Sequence, residues 1–210
     1  MPGGPGARPP RLWRVDFFTG PDTRAAQAAV EVCTEFAEPW LRNHSLRAYS
    51  WAVAYGASAG ITGYDDELLY VAALMHDLAL TPFFDSHRIA FEEAGGQLAK
   101  VLAAGAGWDA ARRERLNEVI VLHMRDDVPP EQDVESHLLQ IAVSADVSGR
   151  RLELFTPEFT DELLGRYPRL GFAENFLEQA RDQATRKPDC AAAELMRSGW
   201  PDRVLSNKLD

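Results

Sequence analysis

The sequence predicts an all-α protein that folds as a single-domain helical bundle. Apolar residues recur at helical spacing in successive segments, and each segment is bounded by residues that favour helix ends, such as Asp, Ser, Thr, Gly or Pro. No strand-like alternation of apolar and polar residues persists beyond a few positions, and no internal repeat is present. A chain of 210 residues is long enough for one domain with a sizeable core.

Composition and charge narrow the function classes. The formal net charge of −10 argues against nucleic acid and anionic membranes as partners, because both are bound through basic surfaces. The two cysteines, Cys33 and Cys190, lack the spacing of a metal motif and the density of a disulfide framework, which suits a reducing compartment. The chain has no signal-peptide core and no apolar stretch near the roughly 18 residues of a membrane span. We therefore expect a cytoplasmic protein that acts on a small molecule, with homo-oligomerisation left open.

Residues 1–21 are predicted to form a loose N-terminal segment. The segment begins with many Pro and Gly residues, and the aromatic residues that follow could lie as a strap on the domain. The first helix should begin at Asp22 or Thr23, which are both good N-cap residues. Pro39 is expected to end this helix, because proline cannot continue the hydrogen-bond ladder.

The second helix carries the first candidate site residue. Asn43 or Ser45 can open it, and Gly60 can end it in the left-handed conformation. One face of this helix is apolar apart from His44. We therefore expect His44 to point into the core.

The third helix, predicted over residues 67–78 with Asp65 or Asp66 as its cap, is the most apolar segment of the chain. Its apolar run ends in the adjacent pair His76 and Asp77. A helix that is apolar on nearly every face is a buried helix. An ionised carboxylate at its end is costly unless a cation lies beside it.

Three further helices are predicted before the C-terminal third. Pro82 interrupts the chain, and Asp85 or Ser86 is expected to cap a fourth helix. A fifth helix over 109–124 directs His123 inward, and a sixth over 133–147 places Asp146 near its end. The last third is expected to contain helices at 157–166 and 173–186 and a short helical tail after residue 188.

Four residues on three of these helices share one unusual property. His44, His76, Asp77 and Asp146 are metal-ligand types set among apolar residues, in the order H-x31-HD-x68-D. Two imidazoles and two carboxylates suit a divalent transition metal with open positions for water. The cation would also offset the cost of burying two carboxylates that have no basic residue within one turn on their own helix face.

Each of these residues also has a structural interpretation by itself. A single inward histidine such as His44 is usually a hydrogen-bonded core residue, and Asp146 could simply terminate its helix, because Ser148 and Gly149 follow it. Unpaired buried carboxylates are rare, however. The four residues together therefore favour the metal site.

These residues lie in stretches that resemble the HD superfamily of metal-dependent hydrolases, within it most closely the branch that contains cyanamide hydratase. The resemblance covers about residues 25–150. It implies an HD-type helical domain over 22–210, with a metal-site core of about 40–150 and a helical C-terminal extension at 151–210. The matching stretches are NHSLRAYSW, ALMHDLA, FEEAGGQLA, VIVLHM and LLQIAVSADVSG.

The resemblance implies that His44, His76, Asp77 and Asp146 bind one divalent transition metal. The ligand types accommodate Zn, Fe, Mn, Co or Ni. A metal of this kind activates water against an electrophile, so that Asp77 belongs to the catalytic centre as well. His123 is the candidate for moving protons, with a structural core histidine and a ligand to a second metal as alternatives.

The residues after the HD pair bear on the substrate. Relatives that hydrolyse nucleotides often have an acidic residue close behind this pair, whereas here Leu80 is followed by Thr, Pro and two Phe residues. Such an apolar wall suits a small substrate of low charge. The residues predicted to contact substrate are Arg47, Phe83, Phe84 and His87.

Three functions are consistent with this sequence. The leading one is a metal-dependent hydratase or hydrolase that resembles cyanamide hydratase and directs water at a small electrophile. The second is a phosphohydrolase acting on a nucleotide or another phosphate ester. The third is a helical domain that keeps its metal for ligand binding without catalysis.

Overall fold

A computed structural model of the protein describes residues 19–209. Most of the predicted N-terminal segment, residues 1–21, lies outside the described residues. Within the described part every regular element is helical, which confirms the predicted all-α class. The helices are α1 Arg24–Phe36, α2 Pro39–Ala59, α3 Asp66–Met75, α4 Phe91–Gly105, α5 Ala110–Leu122, α6 Val134–Ser148, α7 Pro157–Arg166, α8 Phe172–Arg186, α9 Ala191–Arg197 and α10 Trp200–Leu205.

Side-chain caps fix the start of five of these helices. In each case a side-chain oxygen accepts a hydrogen bond from the backbone N–H three residues later, which satisfies one of the free donors of the first turn. The N-cap residues are Thr23, Asp65, Asp109, Asp133 and Thr156. At the other end, Gly60 and Gly149 close α2 and α6 with φ values of 72° and 68°, a conformation that glycine adopts without strain.

Three predicted helix boundaries were wrong. Asn43 and Ser45 do not open α2 but lie inside it. Pro39 does not end α1 but begins α2, where a residue without an N–H is well suited to the first turn. Asp85 does not cap α4, because its carboxylate is bound by Gln183 and Arg186 of α8. The side chain of Ser86 accepts bonds from two N–H groups within the preceding loop, and α4 begins only at Phe91.

Helix α3 lies at the centre of the bundle. All eight residues from Leu68 to Met75 are buried, and the helix packs against α1, α2, α4, α5 and α6. Helix α4 comes close to its C-terminal end, since a Cβ atom on Gly95 would lie 3.1 Å from the carbonyl oxygen of His76. The chain at His76 is therefore enclosed on all sides by other helices.

The C-terminal helices form a second apolar cluster beside this core. Helices α8, α9 and α10 pack on one another, and α10 also packs on α6. Phe172 and Phe176 of α8 join Leu80, Phe91 and Val147 in this cluster. Within residues 19–209, no helix combines the length and apolar character of a membrane span.

Asp133 links the start of α6 to α5. Its Oδ1 accepts the N–H of Ser136 at 2.8 Å, and its carboxylate forms an ion pair with Arg115. Burial alone would raise the pKa of Asp133, but the bonds from Arg115 and Ser136 lower it below its usual value. Because the folded-state pKa is depressed, this stabilisation exists above the unfolded-state pKa and is lost as pH falls through the folded-state value.

Two substitutions at Asp133 should separate the cap from the ion pair. Asp133→Asn keeps a capping group and loses the charge, whereas Asp133→Ala loses both, so we expect the alanine variant to cost about 1–2 kcal/mol at pH 7 and the asparagine variant less. In urea unfolding, the difference between the parent and Asp133→Asn should narrow as pH is lowered from about 5 towards 3. A difference that stays constant over this range would show that the charge contributes nothing.

Candidate metal centre

Four of the predicted site residues are brought together at the centre of the fold. His44 projects from the first half of α2, His76 caps the C-terminal end of α3, and Asp77 follows with φ −107° and ψ 2°. His123 caps the C-terminal end of α5. The side chains of these four residues are at most 1% exposed to solvent.

Three ligand atoms converge on one point. The Nε2 atoms of His44 and His76 are 3.2 Å apart, and they lie 3.4 and 3.2 Å from Oδ2 of Asp77. All three atoms lie within 4.8 Å of one another. On the other side of the carboxylate, Nε2 of His123 is 3.7 Å from Oδ1 of Asp77.

Hydrogen bonds at the far side of each ring assign the tautomers of the three histidines. Nδ1 of His44 is 2.6 Å from Oδ2 of Asp146, and Nδ1 of His76 is 2.8 Å from the carbonyl oxygen of Ala73. Nδ1 of His123 contacts the carbonyl oxygen of Ile120. Since these oxygens only accept, each Nδ1 carries the proton, and each Nε2 of a neutral ring presents a lone pair.

Asp77 faces these lone pairs without a hydrogen-bond donor. Both of its carboxylate oxygens are buried and accept no hydrogen bond within the described residues. Burial alone would raise the pKa of Asp77, but positive charge on the neighbouring His76 and His44 lowers it well below its usual value. The carboxylate is therefore ionised where a second proton on these rings or a bound cation supplies positive charge beside it.

Two sources of that charge fit the geometry. One is a second proton on His44: burial lowers the pKa of this ring, yet the bonds and charges of Asp146 and Asp77 raise it above its usual value. The other is a divalent cation, which would satisfy the three convergent acceptors together. Imidazole nitrogen combined with carboxylate is a donor set that zinc and other transition metals favour, so these residues fit such an ion.

Asp146 lies behind His44 and not in the convergent group. Its carboxylate accepts bonds from Arg47 Nε at 2.7 Å, Arg47 Nη2 at 2.8 Å and Trp51 Nε1 at 3.1 Å, in addition to His44. These bonds hold the pKa of Asp146 well below its usual value despite burial. Its predicted role as a metal ligand stays a prediction. In the present arrangement the carboxylate orients the ring of His44 from the side away from Asp77, as partners of metal-bound histidines commonly do.

Arg47 was predicted to contact substrate, but the structure places it elsewhere. The side chain is fully buried, and it donates to Asp146 and to the carbonyl oxygens of Tyr167 and Pro168. Every guanidinium nitrogen is thus engaged within the protein. Arg47 acts here as the counter-charge of Asp146.

A pocket opens beside the convergent group and contains His123. It has about 90 Å³ of free space, and its inner wall is mainly apolar. Burial, followed by charge on His76, lowers the pKa of His123 to about 4, so the ring is neutral at neutral pH. The lining residues are Leu80, Phe91, His123, Met124, Arg125, Asp126, Gln140, Val143, Ser144, Val147, Ser148, Arg150, Phe176, Ala180, Ala192, Leu195, Trp200 and Arg203.

Three other residues predicted to contact substrate do not line this pocket. Phe83 is 69% exposed, and both Phe83 and Phe84 pack edge-on against Phe36 of α1. His87 is exposed beside Arg186. Their predicted role stays a prediction, and the wall of this pocket comes from other parts of the chain.

Sequence reasoning missed the residues that surround Asp146. Trp51 lies on the same face of α2 as His44 and Arg47, so its spacing was a signal that could have been used. Arg169 and Asn207 donate to the backbone carbonyl of Asp146 from distant parts of the chain. No local sequence pattern predicts a hydrogen bond between residues so far apart in the chain.

Comparison with known proteins shows sequence similarity over much of the chain. A sequence model of the HD domain matches residues 41–147, just over half of the chain. Two proteins of Saccharomyces cerevisiae, named cyanamide hydratase DDI2 and cyanamide hydratase DDI3, are each 27% identical to it over 173 residues. Each alignment covers 80% of this chain and 76% of the relative.

The variant Asp77→Asn should separate the contribution of this residue to metal binding from its contribution to folding. In metal-free protein, Asp77→Asn removes a buried carboxylate that accepts no hydrogen bond within the described residues, so the variant should unfold at the same urea concentration as the parent or at a higher one. Adding zinc should stabilise the parent by about 3–4 kcal/mol when zinc exceeds its dissociation constant several-hundred-fold, and should stabilise the variant much less.

Asp161→Asn, on the exposed side of α7, is the matched control and should respond to zinc as the parent does. Equal stabilisation of the parent and Asp77→Asn by zinc would show that Asp77 is not a ligand.

Proposed function

Because this chain belongs to the HD domain family, we propose that it is a metal-dependent hydratase or hydrolase that directs water at a small electrophile. The observation that carries the proposal is the convergence of two imidazole lone pairs on the unpartnered carboxylate of Asp77. The reaction proposed first is hydration of cyanamide or a similar nitrile. It is supported by the names of the two yeast relatives.

His44, His76 and Asp77 would hold the metal ion. Zn, Fe, Mn, Co and Ni are all compatible with this ligand set. When bound, such an ion supplies a Lewis acid and lowers the pKa of a coordinated water to about 7. Asp146 and Arg47 contribute by fixing the ring of His44, so that its Nε2 faces Asp77.

His123 is the group that moves protons in this proposal. Its Nδ1 is committed to the carbonyl oxygen of Ile120, so Nε2 is the free acceptor, and the ring lines the pocket. In cyanamide hydration the water oxygen bonds to the nitrile carbon while the water protons pass to nitrogen, which gives urea. Nε2 of His123 can accept one proton from the water and return it to the substrate nitrogen.

Apolar side chains lower the polarity around this chemistry. Phe91 and Phe176 lie beside the His123 and His44 rings, with ring centroids 6.0 Å apart in both pairs. Low polarity strengthens the interaction between a developing charge and nearby groups. A small uncharged electrophile can enter such a site without a large cost of desolvation.

Hydrolysis of a phosphate ester is the second candidate. The observation that favours it is the presence of Arg125, Arg150 and Arg203 among the pocket residues, since guanidinium groups bind phosphate well.

Purified protein loaded with each of several divalent metals should release urea from cyanamide. Release of phosphate from an aryl phosphate, with no urea from cyanamide, would reverse this order.

Replacing His123 by Ala should lower kcat for the hydrated substrate by about 100-fold to 10,000-fold, while the metal content stays at that of the parent. Elemental analysis and steady-state kinetics on the same preparations measure both quantities. His137→Ala is the matched control, because His137 is also buried and binds a backbone carbonyl through Nδ1, but does not line the pocket. If His123→Ala lost its metal, His123 would be a ligand and not a proton carrier.

A further inference from the structure

The pocket beside His123 is larger and more strongly charged at its rim than cyanamide requires. A site for one water needs roughly 10–15 Å³ on the same measure, so 90 Å³ provides space for several such positions. The short N–C–N skeleton of cyanamide would leave much of this space empty. The size and charge of the pocket therefore indicate features of its ligand that the metal centre alone does not indicate.

The inner and outer parts of the pocket differ in chemistry. His123, Phe91 and Val147 are buried and form its inner end, close to Asp77. The guanidinium-bearing residues Arg125, Arg150 and Arg203 are exposed and lie at its rim. A ligand that fills the pocket thus has its reacting end in apolar surroundings and its other end among positive charges.

The charge at the rim is not neutralised by the protein. Asp126 is the one carboxylate among the lining residues, and it is 97% exposed and 3.9 Å from Arg150. Within residues 19–209, Arg125 and Arg203 form no ion pair. Three arginines against one carboxylate is a local excess of positive charge in a chain whose net charge is −10, and such an excess attracts anions.

Part of this wall comes from outside the HD-matched segment. Phe176, Leu195, Trp200 and Arg203 belong to α8, α9 and α10, all of which follow residue 147. The metal ligands, in contrast, all lie within the matched segment. The C-terminal helices can therefore set the ligand without altering the metal centre.

We propose that the substrate of this pocket is a small organic anion, with an apolar body against Phe176 and Trp200, a carboxylate or phosphate group at the arginine rim, and its reacting group at His123. This inference rests on the proposed function for the identity of the reacting end. The anion binds at the rim, away from the metal ligands. Arg125 and Arg203 determine specificity, and α8 to α10 form the specificity wall.

Equilibrium binding to the zinc-loaded protein tests the proposal without requiring turnover. The probes are phenylacetate and its neutral counterpart phenylacetamide, measured by calorimetry. We expect phenylacetate to bind at least 10-fold more tightly, and this preference to weaken as salt is raised. Trp200→Ala should weaken binding of both probes.

Arginine variants show where the anion is bound. The double variant Arg125→Gln, Arg203→Gln should abolish the preference for phenylacetate and leave the affinity for phenylacetamide unchanged, whereas Arg88→Gln, an exposed arginine outside the pocket, should change neither. If the double variant kept the preference, Arg125 and Arg203 would not bind the carboxylate and the inference would be wrong. An equal affinity of the parent for both probes would also overturn it.

The two proposals fail in different ways. If the protein hydrated cyanamide but showed no preference for the anionic probe, the proposed function would be supported and the anion site at the arginine rim would be contradicted. An anion preference that depends on Arg125 and Arg203, without any turnover of nitriles or phosphate esters, would support the rim and contradict the proposed function.

Discussion

The buried carboxylate of Asp77 is the constraint on which the rest of this structure depends. Its two oxygens are sealed from solvent and receive no hydrogen bond within the described residues. The Nε2 atoms of His44 and His76 lie 3.4 and 3.2 Å from Oδ2, and the Nδ1 protons of these rings point away from it. A protein of ordinary stability cannot readily leave such a group without positive charge, because the cost is comparable to a large part of its net stability. The positive charge that the site requires, from a second proton on His44 or from a divalent cation, thus also stabilises the fold.

A second layer of contacts holds the ligands in place. The carboxylate of Asp146 accepts a hydrogen bond from the ring of His44. It also accepts hydrogen bonds from Arg47 and Trp51, which lie on the same helix as His44. The backbone carbonyl of Asp146 then receives Arg169 and Asn207. The C-terminal part of the chain therefore contacts the backbone behind Asp146. Its helices α8 to α10 also form one wall of the pocket beside His123. The same C-terminal part of the chain thus supports the position of Asp146 and lines the pocket through which a ligand would reach the centre.

The sequence was informative wherever the cause was local. The helices follow from caps such as Asp65 and from the continuous apolar run of α3, and His44, His76 and Asp77 stood out because polar residues interrupt apolar faces. The position of Pro39 was misread because proline is equally suited to stopping one helix and starting another. The environment of Asp146 and the lining of the pocket depend on contacts across about a hundred residues or, as with Asn207, on the far end of the chain. Periodicity and spacing do not encode such contacts, which is why the sequence did not indicate Phe176 and Trp200 as pocket residues.

A crystal structure of the zinc-soaked protein, with anomalous diffraction measured at the zinc edge, tests the central claim most directly. The account predicts one strong anomalous peak bonded to Nε2 of His44, Nε2 of His76 and the carboxylate of Asp77, with Asp146 still hydrogen-bonded to Nδ1 of His44. A peak bonded to Asp146 in place of that hydrogen bond would contradict the assignment of Asp146 as an orienting group. The absence of any peak beside Asp77, in protein that binds zinc elsewhere, would contradict the account as a whole.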